Sequence, residues 1–209
     1  MTKQRKNKTN RAWVNQHITD PYVISATKDN YRSRAAYKLL EIDLEYKIFT
    51  RVKTAVDLGC SPGSWSQVLA QKIGPSGKVI GVDILPTDPV NGLEFILGDF
   101  TENDVLEKIV KSLDNQLVDL VLSDMAPNLS GIKVVDQARS AYLIELVLDF
   151  ARNHLKQTGD CVMKVFHGCE FEVILRDARA LFSQVIIHKP KSSRDASSEV
   201  YLICRKMKS

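Results

Sequence analysis

Cysteine is scarce in this chain. Cys60, Cys161, Cys169 and Cys204 form no CxxC pair and have no histidine at metal-ligand spacing. That excludes a zinc framework and leaves reduced interior thiols, so no metal is expected. Also absent is any uninterrupted apolar run of membrane-spanning length. The basic start continues into Ala-Trp-Val-Asn-Gln-His, where a secretory leader would have an apolar stretch and a small-residue cleavage site. A cytoplasmic protein without a membrane partner is expected. Two nucleotide signatures are missing as well. Ser61 stands where a GxGxxG dinucleotide loop would have its second glycine, and no GK[ST] comes after it to make a P-loop.

Acidic residues are missing from residues 1–14, which carry Lys3, Arg5, Lys6, Lys8 and Arg11. The formal net charge is +4, and without these five the chain holds 24 basic against 25 acidic side chains, so the positive excess sits in one arm. Such an arm either keeps the protein soluble or binds a polyanion. Further basic residues at Lys28, Arg32, Arg34 and Lys38, and at Lys189, Lys191 and Arg194, point toward nucleic acid. The composition is otherwise that of an ordinary globular protein, 44% hydrophobic over 209 residues, enough for one sizeable core.

Short apolar runs alternate with helical stretches. "TAVDLG" (54–59), "KVIGVD" (78–83), "EFILGD" (94–99), "VDLVLSD" (118–124) and "DCVMKVF" (160–166) read as strands. Helices are expected from a Ser33 cap through Ala36, Leu39, Leu40 and Leu44, and around 64–73, 102–112, 135–156 and 170–182. The chain closes with "QVIIHKP" (184–190) and "EVYLICRK" (199–206), two strands without a helix between them and therefore an antiparallel final pair. The expectation is an α/β fold whose mostly parallel sheet is covered on both faces, with ligands at the carboxyl edge of the strands. Residues 1–30 form the arm and lead-in, and 31–209 a single domain.

"VDLGCSPGSW" comes after a strand and opens a helix, so backbone N–H groups face a ligand there unless this is an ordinary strand-to-helix turn. Gly59 permits the turn and Gly63 a close approach. Asp83 ends the next strand, 20 residues beyond Gly63, where a carboxylate accepts from ribose hydroxyls in this architecture. Asp99 ends the strand after that and can accept from an adenine amino group. Either aspartate alone could be a turn former. Together, without a phosphate-gripping lysine, they suit a neutral or cationic nucleoside such as S-adenosylmethionine.

At this point the chain resembles the S-adenosylmethionine-dependent methyltransferases of Rossmann-like fold, and within them the FtsJ/RlmE family of ribose 2′-O-methyltransferases. The stretches that carry the resemblance are "SRAAYKLLEID" (33–43), "DLGCSPGSWSQ" (57–67), "GVDILP" (81–86), "LSDMAPNLSG" (122–131), "VMKVFHG" (162–168) and "KPKSSRDASSEVYLIC" (189–204). The resemblance implies a seven-stranded sheet with an antiparallel last strand. It also implies cofactor contacts from Gly63, Trp65, Asp83, Asp99 and Asp124, and methylation of a uridine ribose in 23S rRNA of the large ribosomal subunit by a monomer.

Lys164 is the one charge between Cys161 and Phe166. A buried ammonium needs a carboxylate partner, a route to water or a function. Asp124 closes a parallel strand, and Glu199 begins a strand that, if antiparallel, starts at the same edge. The resemblance completes the set as Lys38, Asp124, Lys164 and Glu199, the Lys-Asp-Lys-Glu arrangement of 2′-O-methyltransferases. "DMAPN" lacks the aromatic and double proline typical of amino-group methyltransferases, which argues against a base nitrogen as target. Lys164 is expected to accept the hydroxyl proton as general base, or, if charged, to steer the hydroxyl. Competing readings are a 2′-O-methyltransferase of tRNA or an mRNA cap, a non-catalytic ribosome-assembly factor, and a nicotinamide oxidoreductase, the last disfavoured by the missing GxGxxG.

Overall fold

A computed structural model describes residues 18–128, 130–168 and 170–208, so the basic arm of residues 1–14 and Cys169 lie outside the described residues. All seven expected strands form: β1 (Thr54–Leu58), β2 (Lys78–Asp83), β3 (Leu93–Leu97), β4 (Val118–Ser123), β5 (Leu155–Phe166), β6 (Phe182–His188) and β7 (Glu199–Met207). They make one sheet in the order β3-β2-β1-β4-β5-β7-β6. Every pair from β3 to β5 is parallel, and β7 runs antiparallel to both neighbours.

The helices are α1 (Pro21–Lys28), α2 (Ala35–Tyr46), α3 (Ser64–Ile73), α4 (Asn103–Ser112), α5 (Lys133–His154) and α6 (Phe171–Leu181). Strand side chains alternate between two cores, which is why the strands read as continuous apolar runs. Val56, Val121 and Met163 face the core that includes Ile144 and Phe171 of α5 and α6, whereas Ala55, Leu122 and Val162 face the one holding Leu39 and Trp65 of α2 and α3. No helix among the described residues is long and apolar enough to cross a membrane.

Three local features depart from the periodic reading. On α2 the buried face is Ala36, Leu39 and Ile42, while Leu44 is 73% exposed, because a 3.6-residue turn carries position 44 past the core stripe. β5 starts at Leu155, before the expected Asp160. Its register against β4 jumps from Val118↔Leu155 to Leu120↔Asp160, so Lys156–Gly159 bulges from the ladder and hides its strand character. The third is α1, a helix inside the lead-in. Asp20 caps it by accepting from Tyr22 N at 3.0 Å, and Pro21 starts it. Ala26 is buried against the domain, and the Tyr22 ring lies 5.6 Å from that of Tyr37.

β1 lies between β2 and β4, where the chain order reverses direction across the sheet. In open α/β sheets a crevice opens at the carboxyl ends of such a strand pair.

Candidate active site

The crevice is there. A cleft of about 400 Å³ lies beyond β1, β2 and β4, walled by Gly59, Asp83, Ile84, Asp99, Phe100 and Asp124 among others. Gly59 turns the chain off β1 with φ of 75°, a conformation that a side chain would strain. Asp83 is oriented by accepting from Ser61 N and Leu85 N, both at 2.8 Å, which leaves lone pairs on each oxygen for a ligand. Asp99 accepts from Thr101 N at 2.9 Å and from the Thr101 hydroxyl at 2.8 Å. Both aspartates line the cleft; Asp83 ends β2, whereas Asp99 lies two residues beyond β3, which stops at Leu97 rather than at the expected Asp99.

Behind the cleft is a recess of about 40 Å³ between Asp57, Cys60, Trp65 and Asp124. Trp65 is buried there, its Nε1 donating to Ala35 O at 2.8 Å, so it shapes the recess and ties α3 to α2. Although its neighbours Pro62 and Ser64 line the recess, Gly63 is not a lining residue of either space. A Cβ there would lie 3.0 Å from both Arg32 Nη1 and Val90 Cγ2.

Asp57 escaped the sequence reading because it looks like one more residue of an apolar strand. It is fully buried, and one oxygen accepts the Ser66 hydroxyl at 2.6 Å while the other has no partner. Burial, reinforced by the Asp124 and Asp83 charges, raises its pKa from 3.8 to about 7. An unpartnered carboxylate oxygen beside a small recess is a receptor for a cationic donor. S-adenosylmethionine fits this donor set: an ammonium for Asp57, a sulfonium near Asp124, and ribose and adenine for Asp83 and Asp99. Among the described residues no cluster of three or more His, Cys, Asp or Glu could hold a metal ion.

The four charged residues come together as two ion pairs. Lys164 Nζ lies 3.1 Å from Asp124 Oδ1 and donates to Asp124 O at 2.5 Å. Lys38 Nζ lies 2.6 Å from Glu199 Oε1, with both side chains 12% exposed. The reversal of β7 makes this possible, because it pairs Glu199 with Phe166 at the ligand edge of β5. Tyr201 joins the pairs. Its hydroxyl donates to Asp124 Oδ1 at 2.7 Å, and its ring lies 5.6 Å from Lys38 Nζ. Burial and the neighbouring Asp124 and Glu199 raise the Tyr201 pKa well above 10, which keeps the phenol a donor. Ser193 is a second residue the sequence did not single out; its hydroxyl donates to Glu199 Oε1 at 2.8 Å.

Several basic residues read as nucleic-acid contacts are engaged inside the protein. Arg34 pairs with Asp20 and donates to Ser192 O, Arg194 Nε lies 3.7 Å from the same Asp20, and Lys189 donates to Ser197 O at 2.9 Å. Lys28, Lys189 and Lys191 remain exposed, Lys189 while making that bond.

A Rossmann-like sheet with an acidic nucleoside cleft, opening on a Lys-Asp-Lys-Glu set, defines an S-adenosylmethionine-dependent methyltransferase. The profile of the FtsJ-like methyltransferases matches residues 31–207, and the chain belongs to that family. It is 52% identical over 199 residues to the ribosomal RNA large subunit methyltransferase E of Azoarcus sp. (strain BH72), covering 95% of this chain and 97% of that one. Against the protein of the same name from Bordetella pertussis the figures are 50% over 208 residues, 97% and 99%. Among solved structures, one described as a ribosomal RNA methyltransferase of Plasmodium falciparum superposes with a TM-score of 0.75 at 31% identity, over 85% of this chain and 98% of that one. The fibrillarin of Aeropyrum pernix, solved with bound S-adenosyl-L-methionine, shares the fold with a TM-score of 0.56 at 17% identity, over 83% of this chain and 75% of that one.

Proposed function

We propose that this protein methylates the 2′-hydroxyl of a uridine ribose in 23S rRNA of the large ribosomal subunit, acting in the cytoplasm as a monomer. The observation that carries the reading is the position of Lys164. Its Nζ is held by Asp124, which also borders the cofactor recess, at the side where the Lys38–Glu199 pair stands. The names of the close relatives supply the RNA.

S-adenosylmethionine supplies a methyl group already activated on a cationic sulfur, so the protein must place a hydroxyl in line with it and manage one proton. Asp83, Asp99 and Asp57 hold the nucleoside and amino-acid ends. Asp124 fixes Lys164 by its side chain and its carbonyl, and Tyr201 steadies Asp124. Lys164 in neutral form takes the hydroxyl proton at Nζ. Lys38, restrained by Glu199, presents positive charge to the RNA backbone or the ribose. A second reading rests on the two Asp124 contacts, which suit an ammonium: Lys164 then donates to the oxygen as its negative charge develops, and solvent removes the proton.

In this reading residues 1–30 are the arm and lead-in to one methyltransferase domain of 31–209. Mass mapping of ribose methylation on RNA from cells with and without the gene tests the assignment. One uridine methyl missing from 23S rRNA is expected. A methyl missing from tRNA or an mRNA cap would move the substrate, and no incorporation into any RNA would leave a binding factor.

A further inference from the structure

The wall of the cofactor cleft formed by Ile84 and Leu85 has no core beneath it. No residue from Ile84 to Pro89 is buried, and Ile84 and Leu85 are 55% and 59% exposed although they line the cleft. A loop with so little apolar anchoring takes its position from polar ties.

Leu85 N donates to Asp83 Oδ1 at 2.8 Å and Ser61 Oγ to Pro86 O at 3.4 Å, and three further ties of the loop converge on one side chain. Arg32 Nη1 donates to Pro62 O at 2.9 Å, Thr87 Oγ1 at 3.1 Å and Asp88 O at 2.7 Å, and Nη2 donates to Pro89 O at 2.6 Å. The Thr87 hydroxyl also donates to Pro62 O at 2.9 Å. The arginine is itself braced: its backbone N donates to Gln67 Oε1 at 3.2 Å, and Gln67 Nε2 donates to Asn30 O at 2.8 Å. Gly63 leaves the space in which this guanidinium sits. The rigid fork of donors fits several carbonyls at once, which lysine could not do.

We propose that Arg32 is a positioning residue for S-adenosylmethionine: it clamps the loop after β2 to the Pro62 carbonyl and so holds the Ile84–Leu85 wall in its ligand-receiving place. Because Arg32 lies on the link between α1 and α2, the clamp also ties the cofactor site to the helix that carries Lys38. This differs from the phosphate-binding role its charge suggests in the sequence, since its donors are directed at the protein.

Calorimetry with S-adenosylmethionine on full-length protein, well below the unfolding temperature, tests the clamp without depending on which RNA is methylated. Arg32→Gln is expected to weaken binding about tenfold, equivalent to about 1.4 kcal/mol. Arg32→Lys should recover little of it, and Thr87→Val, which keeps the arginine charge, should weaken binding by a smaller factor. The Arg32→Gln/Thr87→Val double variant should weaken it by less than the product of the two, because both act through one tie. RNA affinity without cofactor, and its salt slope, should stay as in the unmodified protein. Unchanged S-adenosylmethionine affinity in Arg32→Gln, or loss of RNA affinity with a shallower salt slope, overturns the proposal. If Arg32→Gln does not fold, unchanged affinity in Thr87→Val overturns it and weakened affinity supports it.

Discussion

Asp57→Asn isolates the buried carboxylate at the head of the cofactor recess. The folded-state pKa, about 7, lies above the ordinary 3.8, so the folded protein binds this proton more tightly than the unfolded chain does. Between those values the native state holds more protons, and stability falls as pH rises; above about pH 7 the penalty is constant. From about pH 5 to about pH 8.5 the group should remove about 3 kcal/mol of stability, at about 1.36 kcal/mol per pH step. Asparagine carries no such term. It does leave a buried amide donor at the unpartnered position, which costs about 1–3 kcal/mol, but equally at both pH values. The difference in Tm between variant and unmodified protein should therefore grow by about 6–12 °C across that range in a chain of this size. Circular dichroism melts of ligand-free protein at the two pH values read it directly. S-adenosylmethionine should reverse the order, stabilising the unmodified protein more at high pH, where Asp57 meets the ligand ammonium charged. A melting difference that does not change with pH would refute the reasoning about Asp57.

Lys164→Met should lower methyl transfer from tritiated S-adenosylmethionine by at least about a hundredfold while cofactor affinity stays within a few-fold; retained activity, with a pH–rate profile lacking a lysine-like ionisation, rules out the general base. Ser193→Ala removes the hydroxyl donor to Glu199 and should lower kcat about tenfold through a loosened Lys38, which steady-state kinetics would show. An unchanged kcat would make Ser193 a loop residue only. Deleting residues 2–11 removes five basic side chains and should flatten the slope of log affinity for RNA against log salt by up to about 3.5, at about 0.7 per charge on a single strand. Equal affinity across salt, measured by anisotropy, would deny the arm its role.

The sequence was most informative where one local rule decides the outcome. Strands buried on both faces announce themselves as runs such as "TAVDL", and the strand-end acid Asp83 is placed by the parallel order. It was least informative where the meaning of a residue depends on a distant partner. Tyr201 looks like a strand aromatic until its hydroxyl is seen on Asp124, 77 positions away. Asp57 looks like one more residue of a strand until the recess appears beside it. Arg34 and Arg194 look like phosphate contacts until Asp20, at the start of a helix that no apolar period marks, is found between them. Leu44 failed the opposite way: it has an apolar side chain on a helix, but no core lies on its side.

The reversed direction of β7 also settles where the protein can be handled. Glu199 begins the strand at the ligand edge, while Arg205 pairs opposite Asp160 near the far edge of the sheet. Asp20, at the start of α1, is by contrast paired with Arg34. An affinity tag, dye or surface tether attached after Met207 therefore leaves from the edge of the sheet opposite the cleft.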